Sequence, residues 1–232
     1  MQVMTTLDDL IIQRPTAPGG QLILLLHGYG ATPQSMVPLG APLTAAFPNA
    51  FIVSVAGRER SAMHAGFEWF SAAGVTDANR PERVAAAMPA FRAAVAHWQR
   101  ESGVTAHGTC LVGFSQGAIM ALESTQDMQP GPELAGRIVA LSGRLSTLPH
   151  RAPPLTTVHM IHGKDDTVIH YGLTVRAAER WVALGADVTA DVIPFLGHAI
   201  TDEVADLVVE RLTTTIPKRV WDEALKSVGS VA

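Results

Sequence analysis

The stretch HGTCLVGFSQGAIM, residues 107–120, decides the fold. Cys110, Leu111 and Val112 read as the end of a short buried strand, and Ala118, Ile119, Met120, Ala121 and Leu122 begin a good helix. Between them Gly113-Phe114-Ser115-Gln116-Gly117 is a G-x-S-x-G sequence. In a chain with 20 Gly among 232 residues that pattern arises by chance in roughly one case in ten, so the flanking strand and helix carry the reading. A strand that turns straight into a helix strains the central serine and lifts its hydroxyl clear of the sheet. Glycines are needed on both sides because a Cβ there would strike the neighbouring strand or helix. Ser115 is therefore a candidate nucleophile; the plainer reading is a glycine-rich turn with an ordinary surface serine.

Outward from this turn, strands and helices alternate. Toward the N-terminus, Leu7 to Gln13 reads as a short edge strand, followed by a turn through Pro15 and Ala17-Pro18-Gly19-Gly20. Leu22 to Leu26 is a continuous apolar run, as in a strand buried on both faces. Gln34 to Phe47 is a helix candidate interrupted by Pro38 and Pro42, and Phe51 to Val55 is a second buried strand. Ala56 to about Asn79 is irregular, and a loop of that length is usually functional or partly structured. Pro81 to Arg100 is the clearest helix, with Val84, Met88, Phe91, Val95 and Trp98 as its apolar stripe. Toward the C-terminus, strands are expected at Arg137–Leu141, Thr157–Ile161 and Val188–Ile193. Helices are expected at Tyr171–Leu184 and Thr201–Thr213, with a last short one carrying Val220, Trp221 and Leu225. This alternation predicts one α/β domain over residues 1–232: a mostly parallel central sheet with helices on both faces. No insertion is long enough for a large lid domain. In such a sheet, active sites gather beyond the carboxyl ends of the strands.

Composition narrows the function classes. The chain is 47% hydrophobic and 16% charged with a net charge of −4, which favours a globular protein and gives no electrostatic reason to expect nucleic acid. Cys110 is the sole cysteine, so no internal disulfide can form. The N-terminus, with Asp8 and Asp9 and no basic region before an apolar core, does not read as a secretory signal. No apolar run is long enough for an integral membrane segment, so a cytoplasmic location is the expectation. No His/Cys cluster has metal-ligand spacing.

A serine nucleophile needs a base, and the base needs an acid to orient it. His198, in Phe195-Leu196-Gly197-His198, follows the last strand and precedes a large helix, which is the right end of the sheet. His159 lies within a strand and packs there, His162 ends that strand ahead of the acid, and His170 begins a helix. Asp165 and Asp166 both stand in the turn after Thr157–Ile161, where spacing does not separate them; Asp166 is preferred, and Asp191 is an outsider within a strand. The charge that develops on an acyl oxygen needs preorganised N–H donors. The backbone N–H of Gln116 is one candidate. That of Tyr29, in the His27-Gly28-Tyr29-Gly30 loop after an early strand, is the other; His27 itself is expected to brace that loop.

LHGYG, GFSQGA, HGKDDTVI and GHAI resemble the corresponding blocks of the phospholipase/carboxylesterase branch of the α/β-hydrolases, and the resemblance spans nearly the whole chain. It implies an α/β-hydrolase fold, Ser115 as nucleophile, Asp166 as acid, His198 as base, and Tyr29 and Gln116 as oxyanion donors. It calls for no cofactor. The family acid is commonly followed by proline, whereas Thr167 stands here, which alters the turn without removing the carboxylate. The implied activity is a serine carboxylesterase acting on small-molecule esters of short to medium acyl chains. Acyl-(protein) thioesterase or lysophospholipase chemistry on the same residues is the alternative, and a non-catalytic binding protein on a hydrolase scaffold is the alternative of another class. Within the long irregular segment, Trp69 and Phe70 are expected to line the substrate pocket beside Ser115, set against the plainer reading that they anchor the loop to the core. Related enzymes often pair through surface helices, so a homodimer is entertained, with no interface identified in the sequence.

Overall fold

The two uninterrupted apolar runs lie side by side at the heart of the sheet. Leu22–Leu26 (β2) and Phe51–Val55 (β3) are buried at every residue and run parallel. They belong to a computed structural model that describes residues 8–16, 19–61, 65–126 and 133–229. Leu7, the expected start of the edge strand, and Ala17 and Pro18 of the expected turn lie outside the described residues. The edge strand itself forms as Leu10–Gln13 (β1), antiparallel to β3.

Thr109–Phe114 (β6), Arg137–Leu141 (β7), Thr157–Gly163 (β8) and Val188–Ile193 (β9) complete a seven-stranded sheet of order β1-β3-β2-β6-β7-β8-β9, parallel except for β1. Two-residue strands Glu59–Arg60 (β4) and Phe67–Glu68 (β5) form a separate ribbon inside the segment that reads as irregular in the sequence. β8 runs two residues past the expected end, so His162 is part of the sheet.

One face of the sheet is covered by Arg80–Ser102 (α2), Gln116–Glu123 (α3) and Gly172–Ala183 (α4). The other is covered by Val37–Ala46 (α1) and Asp202–Thr214 (α5). The α2 stripe of Val84, Met88, Phe91, Val95 and Trp98 is buried throughout. α1 keeps its helix despite Pro42 because Leu39 and Leu43 are buried in the core, and its entry is tightened into a 3-10 turn at Pro33–Met36. Thr201 caps α5 by accepting from the Val204 amide, and Asp202 and Glu203 suit the positive end of that helix. Lys218–Gly229 (α6) closes the described chain and leaves Trp221 and Leu225 exposed. Among the described residues, no helix is long and apolar enough to cross a membrane.

Candidate active site

The β6–α3 turn places Ser115 at the carboxyl edge of the sheet with φ 52° and ψ −114°. This is a sparsely populated conformation for a residue with a Cβ, and the surroundings must hold it there. The Ser115 amide donates to the Leu141 carbonyl at 2.9 Å. A Cβ on Gly113 would lie 2.6 Å from the Gly117 carbonyl, and one on Gly117 would lie 2.3 Å from the Leu26 carbonyl oxygen. No side chain fits at either position, which explains both flanking glycines.

Three elements bring a serine, a histidine and an aspartate together from distant sequence. The loop after β9 carries His198, whose Nε2 is 2.9 Å from Ser115 Oγ and whose Nδ1 is 2.7 Å from Asp166 Oδ2. With Nδ1 donating to the carboxylate, Nε2 remains to accept the serine proton. The loop after β8 holds Asp166 rigidly: Oδ1 accepts from the amides of Val168 at 2.8 Å and Ile169 at 2.9 Å. Burial opposes ionisation of Asp166, but the hydrogen bonds from His198, Ile169 and Val168 prevail and hold its carboxyl below the usual range. Asp165 is exposed and contributes its amide to the Leu196 carbonyl. Asp191 is paired with Arg211, its Oδ2 accepting from Nε at 2.8 Å.

One contributor escapes the sequence reading. His162 is fully buried; its Nε2 lies 2.7 Å from the Ile169 carbonyl and 3.1 Å from Asp166 Oδ2, and its Nδ1 lies 2.7 Å from Thr174 Oγ1. Burial lowers its pKa, against the opposing pull of the Ile169 carbonyl and Asp166, so a neutral ring donates through Nε2 and accepts the threonine hydroxyl at Nδ1. Asp166 thus receives a second imidazole. The signal was the spacing of His162 and Asp166, four residues apart across a tight turn.

The loop after β2 faces this group. Tyr29 lines the same cleft as Ser115, and Gln116, as the first residue of α3, has an N–H that no carbonyl of its own helix can accept. His27 is buried and braces the loop as expected: Nδ1 donates to the Gly28 carbonyl at 2.7 Å, and Nε2 accepts from the Gly57 amide at 2.9 Å. The cleft has a volume of about 440 Å³ and carries Tyr29, Met36, Phe114, Val168 and Ile200 on its walls.

Trp69 and Phe70 are corrected by the structure. Neither is among the described residues lining the cleft. Both are buried in the core, Trp69 edge-on to Phe91. Trp69 Nε1 donates to the His27 carbonyl at 2.9 Å. The Gln116 side chain clamps the backbone of both: Oε1 accepts from the Trp69 amide at 2.8 Å and Nε2 donates to the Phe70 carbonyl at 2.7 Å. Two large rings that directly follow a β-ribbon, whose Phe67 also bridges to Ala31, gain more by filling the core beneath the loops than by facing a cleft. The segment is a buttress for the β2 loop and the β6–α3 turn.

The chain matches the family described as Phospholipase/Carboxylesterase over residues 7–216. It is 45% identical over 218 residues to Esterase YpfH of Escherichia coli K12, covering 94% of this chain and 93% of that one. Among solved structures, esterase PE8 superposes with a TM-score of 0.77 at 25% identity, covering 90% of this chain and 99% of that one. A carboxylesterase from Mesorhizobium loti shares the fold with a TM-score of 0.70 at 24% identity, covering 85% and 90% of the two chains. This protein, with its α/β-hydrolase fold, is therefore a carboxylic ester hydrolase belonging to the phospholipase/carboxylesterase family.

Proposed function

We propose that the protein hydrolyses carboxylic esters of short to medium acyl chains through an acyl-enzyme on Ser115. The observation that carries this reading is the hydrogen-bond chain from Asp166 through His198 to Ser115, with separations of 2.7 and 2.9 Å. As Ser115 Oγ bonds to the acyl carbon, its proton passes to His198 Nε2. The former carbonyl oxygen becomes an oxyanion that accepts from the N–H groups of Tyr29 and Gln116. Collapse breaks the bond to the leaving alcohol, which takes the proton from Nε2. Water then attacks the acyl-enzyme with the same imidazole as base, and the acid leaves with Ser115 restored. Asp166 fixes the imidazole tautomer and stabilises its charged form, and His162 holds Asp166 in place. Met36, Phe114, Val168 and Ile200 offer apolar contact to an acyl or alkyl group, and about 440 Å³ suits a small ester.

The test is kcat/KM across nitrophenyl esters of rising acyl length, with Ser115→Ala as the comparison. Activity should peak at short to medium chains and fall by at least about 10³-fold in the variant. Full activity in Ser115→Ala would overturn the mechanism, and a peak at long chains would overturn the substrate range. A thioester reading is favoured by one relative, Acyl-protein thioesterase 1 of Neurospora crassa, 31% identical over 126 residues and about half of each chain. Matched oxygen and thiol esters in the same assay separate the two.

A further inference from the structure

Two hydrogen bonds, to Asp166 at 2.7 Å and Ser115 at 2.9 Å, hold the His198 imidazole by its two nitrogens. They restrain least the roll of the ring about the line that joins them. A third contact falls on Phe114. Its ring centroid lies 4.9 Å from that of His198, with the two planes inclined at 42°. The sequence dictates this placement. Phe114 is the last residue of β6, in register with Leu141 of β7, and alternation puts its side chain on the same face of the sheet as Val112. The strained turn at Ser115 follows at once. The ring also abuts the loop after β2: a Cβ on Gly28 would lie 3.2 Å from Phe114 Cδ1, so the backbone of that loop packs directly on the phenyl group. Phe114 thus joins the base, the nucleophile turn and the loop that carries Tyr29, and it lines the cleft.

Transfer of the Ser115 proton to Nε2 makes His198 a cation, and the attack of water does so again. An aromatic ring carries negative potential on its faces and attracts a cation within about 6 Å of its centroid, more strongly where water is excluded. The His198 side chain is 17% exposed, so water screens that charge little. We propose that Phe114 is a positioning residue for the base: its ring stops the imidazole from rolling out of line with Ser115, and its π face stabilises the imidazolium. The proposal rests on the reading of Ser115, His198 and Asp166 as the catalytic group. A leucine fills much of the same space but has no quadrupole. Phenylalanine at the first variable position of G-x-S-x-G therefore serves the chemistry as well as the packing.

Phenylalanines with one, two and three ring fluorines at position 114 test this, because fluorine withdraws negative charge from the π face at nearly constant shape. The assay is kcat and KM for a short nitrophenyl ester, on the plateau of each pH profile. Across the series kcat should fall stepwise, by about 2- to 30-fold in all, with KM within about twofold. Both chemical steps pass through the imidazolium, so the trend holds whichever step limits turnover. Phe114→Leu should lose at least as much kcat as the trifluorinated chain, with folding checked by tryptophan fluorescence. A kcat that ignores fluorine number overturns the proposal and leaves Phe114 as filler. A trend confined to KM also overturns it and makes the ring a substrate wall only. The underlying reading fails separately. Full activity in His198→Ala would remove the base itself, whereas a flat fluorine series beside an inactive His198→Ala chain overturns the role of Phe114 alone.

Discussion

Replacing Gln116 with alanine separates a buttress from a substrate wall. The side chain is 4% exposed, and its two partners belong to Trp69 and Phe70, themselves 3% and 4% exposed. Its loss leaves one N–H and one C=O without a partner in the core. Each such group costs about 1–3 kcal/mol, so the fold should lose about 2–6 kcal/mol. That is a large part of the total for a domain, about 5–15 kcal/mol. With a urea dependence of about 2 kcal/mol per molar, the unfolding midpoint should fall by about 1 M or more. The Gln116 backbone N–H survives the substitution, so kcat should drop far less than in Ser115→Ala, and the order of preference among acyl lengths should stay fixed. The assay is urea unfolding followed by tryptophan fluorescence, run beside the nitrophenyl ester series. An unchanged midpoint with a shifted acyl preference would refute the reasoning and return Trp69 and Phe70 to the pocket wall.

Three further outcomes are expected. Trp69→Phe deletes the bond to the His27 carbonyl and should lower thermal stability while leaving the acyl-length profile unchanged; a shifted profile contradicts the buried placement. His162→Ala removes the ring that lies 3.1 Å from Asp166 Oδ2 and holds the Ile169 carbonyl of the same turn; support of a charged group on this scale is worth about 1.5–3 kcal/mol, so kcat should fall about 10- to 100-fold with KM within about twofold, and an unchanged kcat would deny His162 its positioning role. His159 is buried with Nε2 unpartnered, and burial, aided by Arg137, pulls its pKa from 6.5 down to about 4. The folded state therefore favours the neutral ring: its stability is fully present above about pH 6.5 and is lost as pH falls toward 4. The loss amounts to about 3 kcal/mol. Urea unfolding between pH 7.5 and 4 should show at least that slope in the wild type, and His159→Leu should make it shallower, leaving the part that the buried His27 and His162 contribute with the same sign.

What was legible in the sequence, and what was not, follows from the range of the interactions involved. β2, β3, α2 and the β6–α3 turn each announce themselves locally, through an apolar run, a 3.6-residue stripe, or glycines that no other residue can replace at Gly113 and Gly117. The alternation of strands and helices then fixes which loops share the carboxyl edge, so Ser115, Asp166 and His198 could be gathered without coordinates. Asp165 and Asp166 could not be told apart by pattern because a turn points neighbouring side chains in opposite directions. Only the fold shows one exposed and the other receiving three N–H groups, with the His162 ring 3.1 Å away. Trp69 and Phe70 were misplaced for a related reason. Aromatic residues in a long loop near an active site fit a pocket wall and a core anchor equally well, and the choice rests on one distant side chain, that of Gln116, 46 and 47 residues away. Gln116 itself was legible for its N–H, which the turn dictates, and silent for its amide, whose partners are set by tertiary packing. The same residue therefore offers its backbone to the proposed oxyanion and its side chain to the loop beneath it. A loosened ribbon should reach the chemistry through Gln116 before it reaches any wall of the cleft.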